Sequence, residues 1–224
     1  MASARPAFLF DLDGVVVDSN GLHVESWKAV ARRHGLDCPD PEHIGKCGLR
    51  TVAVIRDLLR WPVSEEDAIR LGREKEDLYR EWIRRDGIPA VPGVQAFLDA
   101  ARRSGHRCAV GSSAPRANVD LCLSALKLTE AFSATVSGED VRNGKPAPDI
   151  FLRAAERLET APGDCIVFED APAGIEAAHA AGMKVAALRT SHSAEELAGA
   201  DVLARDFTEL SPERLMNTPG LRPG

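Results

Sequence analysis

No stretch of this chain stays apolar for anything near the ~20 residues that a membrane helix requires, so no transmembrane segment and no membrane partner are expected. No CxxC pair occurs. The five cysteines, Cys38, Cys47, Cys108, Cys122 and Cys165, are odd in number, which argues against a disulfide scaffold and suits a reducing cytosol. Cys108 and Cys165 lie inside apolar runs and read as small core residues. There is no signal-peptide layout, since the first strand begins by about Ala7, and a cytoplasmic location is expected. Positive charge is not in excess: 28 Lys and Arg stand against 34 Asp and Glu, a net charge of −6. That balance argues against nucleic acid as the main partner, while a small phosphorylated substrate could still be held by local cations. Internal repeats and low-complexity segments are absent.

What is present is a chain of 224 residues, 44% apolar and 28% charged, long enough for a large α/β core or for a core with a small inserted domain. It is organised around Ala7-Phe8-Leu9-Phe10-Asp11-Leu12-Asp13-Gly14-Val15. A short apolar run ends in two aspartates and a glycine, as a buried strand of a parallel sheet does when it reaches a turn. Ligand sites of open α/β sheets lie beyond the carboxyl ends of such strands. Gly14 supplies the turn by which Asp13 would reach a leaving group.

After Val15-Val16-Val17-Asp18-Ser19-Asn20 a helical pattern runs through about Gly35, and two more span about Arg50–Arg60 and Ser64–Arg85. Ser64-Glu65-Glu66-Asp67 is a helix-start signal, a capping serine followed by acids in the first turn. No strand pattern falls between Asp18 and Pro89. After Pro89-Ala90-Val91-Pro92-Gly93 strand-like runs recur at Arg107–Gly111, Ala134–Ser137, Cys165–Glu169, Val185–Leu188 and, more weakly, Asp201–Leu203. Helical segments separate them, which implies a doubly wound, Rossmann-like parallel sheet with helices on both faces. The expected organisation is an α/β core of residues 1–17 and 90–224 carrying an α-helical cap of residues 18–89, with hinges near 16–20 and 86–92. The tail after about Pro212 is rich in Pro and Gly and is expected to be loose.

The residues that follow the strands carry the chemistry. Asp11 and Asp13 follow the first, Ser112-Ser113 the second, Gly144-Lys145-Pro146 the third and Glu169-Asp170 the fourth. Singly, each has an ordinary structural explanation: turn residues, a helix cap, a surface lysine. Jointly, in a parallel sheet, all face one crevice. A carboxylate attacking a phosphate monoester meets like-charge repulsion that a divalent cation removes. Mg²⁺ takes hard oxygen ligands, which Asp11, Asp13 and Asp170 could supply with Glu169 nearby. Lys145 would neutralise phosphoryl oxygens, and Ser112 offers a hydroxyl and an N–H. Aspartate is an established covalent phosphate acceptor.

These motifs resemble those of the haloacid dehalogenase superfamily over nearly the whole chain. They read Phe10-Asp11-Leu12-Asp13-Gly14-Val15, Val110-Gly111-Ser112-Ser113, Gly144-Lys145-Pro146-Ala147-Pro148-Asp149 and Phe168-Glu169-Asp170-Ala171-Pro172-Ala173-Gly174-Ile175. The helical insertion is similar to the small cap of the subgroup containing β-phosphoglucomutase, phosphoglycolate phosphatase and sugar-phosphate phosphatases. The resemblance implies Asp11 as nucleophile, and Asp13 as general acid, then base, that also ligates Mg²⁺ through its carbonyl. It implies Ser112 and Lys145 holding the phosphoryl group, and Asp170 with Glu169 completing the metal site. Superfamily dehalogenases lack the second aspartate, so Asp13 points to phosphoryl transfer. The substrate-facing set implied is Leu12, His23, Gly48, Arg50, Lys75, Ser113 and Arg116. His23 would contact Asp13 and restrain it, and Lys75 could reach a second phosphate. In the mutase pattern an arginine three residues after a glycine grips a distal phosphate. Gly48-Leu49-Arg50 brings it one residue closer, as in hexose-phosphate phosphatases. The expected activity is a Mg²⁺-dependent phosphatase acting on a small phosphorylated metabolite, a sugar phosphate, through an aspartyl phosphate. A β-phosphoglucomutase-type mutase is the alternative, and a non-catalytic phosphometabolite-binding relative a remote one.

Overall fold

The computed structural model describes residues 5–218, 220 and 221. Strand β1 (Ala7–Phe10) is followed by helices α1 (Asn20–His34), α2 (Pro41–Gly45), α3 (Thr51–Ala53) and α4 (Glu65–Asp86). From there helices α5 (Val94–Arg103), α6 (Arg116–Ala125), α7 (Asp149–Arg157) and α8 (Pro172–Ala180) alternate with strands β2 (Cys108–Gly111), β3 (Ala134–Val136), β4 (Cys165–Glu169) and β5 (Lys184–Leu188), after which β6 (Val202–Ala204) follows without an intervening α-helix and α9 (Pro212–Asn217) comes last. The strands form one sheet in the order β3-β2-β1-β4-β5-β6, with every pairing parallel. The Rossmann-like α/β class is thus the observed one.

β1 is central and buried throughout. Phe8 and Phe10 enter one hydrophobic layer, Ala7 and Leu9 the other. Only a strand covered on both faces requires four consecutive apolar residues. α5, α6 and α9 supply the first layer through Phe97, Leu98, Val119, Leu123 and Leu215. α7 and α8 supply the second through Ile150, Phe151, Ile175 and Ala178. The first layer is aromatic. Phe97 meets Phe168 at 5.0 Å, Phe207 at 5.1 Å and Phe8 at 5.4 Å between ring centroids. Cys108, Cys122 and Cys165 are buried free thiols within these layers.

The helical segment after β1 has a hydrophobic cluster of its own, built from Trp27, Val30, Ile44, Val54, Ile55, Leu59, Trp61 and Leu71. Trp27 and Trp61 pack edge to face, and Trp61 Nε1 donates to Asp37 O at 2.6 Å. Ser64 caps α4 by accepting from Asp67 N–H. The chain enters and leaves this segment through two linkers paired with one another: Asp18 N–H donates to Pro89 O at 2.9 Å and Val91 N–H to Val16 O at 3.1 Å.

Three features depart from the sequence-based expectation. Where one helix over Arg50–Arg60 is expected, α3 gives way to a π-helical stretch, Val54–Leu59, whose wider turn brings Val54, Ile55 and Leu59 into the Trp27 cluster. The break around Pro39–Pro41 contains the short α2, capped by Asp40. The tail is not wholly loose. Ser211 caps α9, Pro212 takes the first turn where its missing N–H costs nothing, and Leu215 is buried in the aromatic layer. Residues 219 and 222–224 lie outside the described residues.

Phe97→Ala should cost about 3–5 kcal/mol, as removal of a buried phenyl ring does. Urea unfolding followed by circular dichroism reads the loss, and an unchanged midpoint would show that the aromatic layer does not depend on Phe97.

Candidate active site

The strand order reverses direction between β1 and β4, and the crevice of a doubly wound sheet opens at such a switch point. Phe10 pairs with Phe168, so the segments Asp11–Asp13 and Glu169–Asp170 leave the sheet side by side. Phe10 also pairs with Val110, which brings Ser112 alongside. Asp11, Glu169 and Asp170 are all buried and present carboxylate oxygens within 4.8 Å of one another.

Lys145 is buried among them. Its ammonium lies 2.5 Å from Glu169 Oε1 and 2.9 Å from Asp11 Oδ1. The approach to Asp11 is off the line a hydrogen bond requires, so Asp11 Oδ1 is a buried oxygen without an aligned donor. Glu169 Oε2 accepts from the N–H groups of Asp170 and Ala171, at the start of α8. Asp170 accepts from the Ser191 hydroxyl, and its carbonyl lies 2.8 Å from His192 Nδ1. Two glycines make this crowding sterically feasible. A Cβ on Gly14, at φ +72°, would come within 1.8 Å of Asp170 Oδ2, and one on Gly174 within 1.8 Å of Glu169 Oε1.

Burial, which outweighs the attraction of Lys145, pushes Asp11 up to about 7. Asp170 is raised well above the usual carboxylate range by burial and by the neighbouring Glu169 and Asp11. For Lys145 burial acts downward, but Asp11 and Glu169 prevail and hold it above its ordinary value. Three buried carboxylates thus face one ammonium, and one of their oxygens lacks an aligned donor. A hard divalent cation fits that donor set.

Asp13 is held differently. Its Oδ1 accepts from Ser19 Oγ at 2.6 Å and Tyr79 OH at 3.3 Å, and lies 3.0 Å from His23 Nε2. Burial acts to raise Asp13, yet His23, Ser19 and Lys75 together bring it well below the usual range. His23 stacks on Tyr79 at 4.3 Å between centroids, with the rings 4° from parallel.

Asp11, Asp13, His23, Gly48, Lys75, Ser112, Ser113 and Asp170 line one cleft between the helical segment and the strand ends. Trp27 is buried and also borders the cleft, beneath the Lys75 ammonium. Three expected contacts do not reach it with their side chains. Leu12 is fully buried in the aromatic layer. Arg50 crosses to the core and donates to Val141 O at 2.9 Å and Arg142 O at 3.0 Å. Arg116 pairs with Asp140 and donates to Thr135 Oγ1 at 2.7 Å.

The sequence reading omits Ser19, Tyr79, Glu76, Asn118 and the loop Thr190–His192. The loop had a usable signal, since Thr190-Ser191-His192 comes one residue after the Val185–Leu188 run, and every earlier strand end already supplied a candidate. In the structure Thr190 Oγ1 donates to Gly14 O at 2.5 Å.

The sheet, the switch-point crevice and the acidic centre define an α/β enzyme fold of the doubly wound type. The profile described as haloacid dehalogenase-like hydrolase matches residues 8–188. The chain belongs to that family. It is 32% identical to validoxylamine A 7'-phosphate phosphatase of Streptomyces hygroscopicus subsp. limoneus, over 90% of this chain and 94% of that protein. It is 33% identical to fructose-1-phosphate phosphatase YqaB of Escherichia coli, over 81% of this chain and 95% of that protein. A crystal structure of β-phosphoglucomutase from Clostridium difficile superposes with a TM-score of 0.85 at 27% identity, covering 95% of this chain and 96% of that one.

Asp140, the partner of Arg116, also accepts from Ser137 N–H and Oγ and from Arg157, each at 2.7 Å. Burial acts to raise Asp140, but these donors win and hold it well below its ordinary value. A carboxyl depressed in the folded state adds stability that is complete above its unfolded pKa and lost as pH falls through the folded one. Asp140→Asn should therefore be destabilising at neutral pH, by a margin that shrinks as pH drops below about 4. Thermal unfolding at a series of pH values measures it, and a margin that grows on acidification would refute the assignment.

Proposed function

We propose that the protein is a Mg²⁺-dependent phosphatase that hydrolyses a small phosphorylated metabolite, a sugar phosphate, through an aspartyl-phosphate intermediate. The observation that carries this is the buried meeting of Asp11, Lys145, Glu169 and Asp170 at the switch point. The phosphatases among the relatives support the substrate class. We read residues 18–89 as a cap over a core of residues 1–17 and 90–224, the cap carrying its own hydrophobic cluster.

In this reading an Asp11 oxygen attacks phosphorus while the ester oxygen leaves. Asp13, which rests ionised, takes up the proton of the phosphate monoester monoanion on its free Oδ2 and passes it to the departing oxygen, so that oxygen leaves as a hydroxyl. Asp13 then takes a proton from water as that water attacks the aspartyl phosphate. Lys145 and the Ser112 hydroxyl hold the non-bridging oxygens. Asp11, Asp170 and the Asp13 carbonyl would hold Mg²⁺, with Glu169 fixing Lys145 and the start of α8. Bound there, the cation offsets repulsion between the carboxylates and the phosphate dianion. Among the described residues no helix is long and apolar enough to cross a membrane. We further read the protein as a cytoplasmic monomer without nucleic-acid partners, and its free thiols accord with a reducing compartment.

The likeness to β-phosphoglucomutase keeps a second reading, a phosphomutase using the same aspartyl phosphate. Against it stands Arg50, which is bonded to core carbonyls instead of lining the cleft. Phosphate release from a panel of sugar phosphates with Mg²⁺ is the expected result. Conversion of β-glucose 1-phosphate to glucose 6-phosphate, primed by a bisphosphate, would replace it with the mutase. Binding with neither activity would indicate a non-catalytic relative.

Asp11→Asn should abolish turnover while leaving the circular dichroism spectrum and melting temperature near those of the wild type. Near-normal turnover in that variant would remove Asp11 as nucleophile. Chelation by EDTA should stop phosphate release, and added Mg²⁺ should restore it.

A further inference from the structure

Glu76 is a buried carboxylate on α4 to which the reaction above gives no task. Its Oε1 accepts from Thr51 Oγ1 at 2.5 Å and from Lys75 Nζ at 3.1 Å. Its Oε2 accepts from Asn118 Nδ2 at 2.7 Å. Asn118 belongs to α6, in the sheet's own helical layer, and its Oδ1 accepts in turn from Arg80 at 2.6 Å. Lys75 is 2% exposed, and its ammonium lies 2.7 Å from His23 Nδ1.

An ammonium has donors and no acceptor, so His23 Nδ1 must be the accepting nitrogen. The proton of the neutral ring is then on Nε2, which donates to Asp13 Oδ1 at 3.0 Å. Stacking on Tyr79 holds the ring plane. We propose that Glu76 is a positioning residue: it holds the Lys75 ammonium against His23 Nδ1, and so sets the tautomer and ring orientation that anchor Asp13. The consequence for turnover rests on the phosphatase reading; the geometric consequence does not.

Removal of the Glu76 charge leaves the buried Lys75 ammonium without the carboxylate it touches, a costly arrangement that is relieved when the ammonium withdraws. Its withdrawal removes the obligatory donor at Nδ1. The ring can then carry its proton on Nδ1 and present a bare Nε2 to the Asp13 carboxylate, where two acceptors repel. Asn118 adds a condition. The Glu76 carboxylate is fully engaged only when α4 lies against α6, so the seating of the helical segment on the core and the anchoring of Asp13 are one event.

The test compares wild type, Glu76→Gln and Asn118→Ala by long-range ¹⁵N–¹H NMR of the imidazoles in the substrate-free protein, with His23 assigned by His23→Gln. Wild type should show an acceptor-type Nδ1 and a protonated Nε2. Glu76→Gln should show a mixture of tautomers, with kcat reduced about tenfold to a hundredfold and KM changed less than about twofold. Asn118→Ala, a milder change, should move the spectrum the same way by less and carries the test if Glu76→Gln does not fold. An unaltered His23 signature in the folded variants, or a wild-type ring protonated on Nδ1, would overturn the proposal. A wild type with the expected signature that releases no phosphate from any ester would refute the phosphatase reading and leave the role of Glu76 standing.

Discussion

Lys145 enters the gap between the ends of β1 and β4, and its ammonium touches Glu169 at 2.5 Å and approaches Asp11 at 2.9 Å. All three groups are buried, and stripping water from ions costs several kcal/mol apiece before any attraction is counted. A sheet built for stability alone would put leucines there. The charges persist because each is over-determined. Glu169 is gripped from the other side by two N–H groups at the start of α8, where the helix dipole favours a negative charge. Gly174, one turn into that helix, leaves the volume that the carboxylate fills. Asp11 is the exception, since its Oδ1 has the lysine's charge but no aligned donor. The group left under-satisfied is the one from which the proposed chemistry asks a bond.

Asp13, two residues on, obeys a different logic. Asp11 and Asp170 are raised by burial and by the neighbouring Glu169, whereas donors from the helical segment lower Asp13. Two carboxyls on one turn are thereby pushed apart in acidity by different surroundings, burial for Asp11 and close donors for Asp13. The separation is made by His23, Ser19 and Lys75, all outside the sheet. The helical segment therefore does more than roof the cleft: it supplies the donors that hold the second aspartate well below the usual carboxylate range.

How much of this was legible follows from what carries each contact. β1, β2 and β4 are buried on both faces, so they read as continuous apolar runs, and the residue after each run was a site candidate by position alone. The meeting of Lys145 with Glu169 was accessible because parallel order brings strand ends together. Arg50 and Arg116 were not. A cationic side chain in a charge-rich stretch is equally suited to phosphate, carboxylate or carbonyl. The partners of Arg50 are the carbonyls of Val141 and Arg142, and a carbonyl leaves no mark in sequence. The Glu76–Asn118 bond depends on how α4 crosses α6, which no local pattern specifies. For α9 the signs were present in Ser211-Pro212-Glu213, and the Pro and Gly content of the tail outweighed them.

The distribution of donors on Asp13 bears on why the helical segment is inserted where it is. Ser19, His23 and Tyr79 all reach Oδ1, and among the described residues no donor reaches Oδ2. A carboxylate anchored through one oxygen keeps the other for a proton, which is the division of labour an acid–base group requires. Ser19 and His23 come from the chain just past the turn at Gly14, at the point where the two linkers pair. A helix inserted later in the chain could cover the crevice as well. Only one that begins immediately after the first strand can reach back to Asp13 through a serine six residues on and a histidine ten residues on, with little loop to order in between. The position of the insertion and the control of the second aspartate thus have one cause, the short tether from β1 into α1.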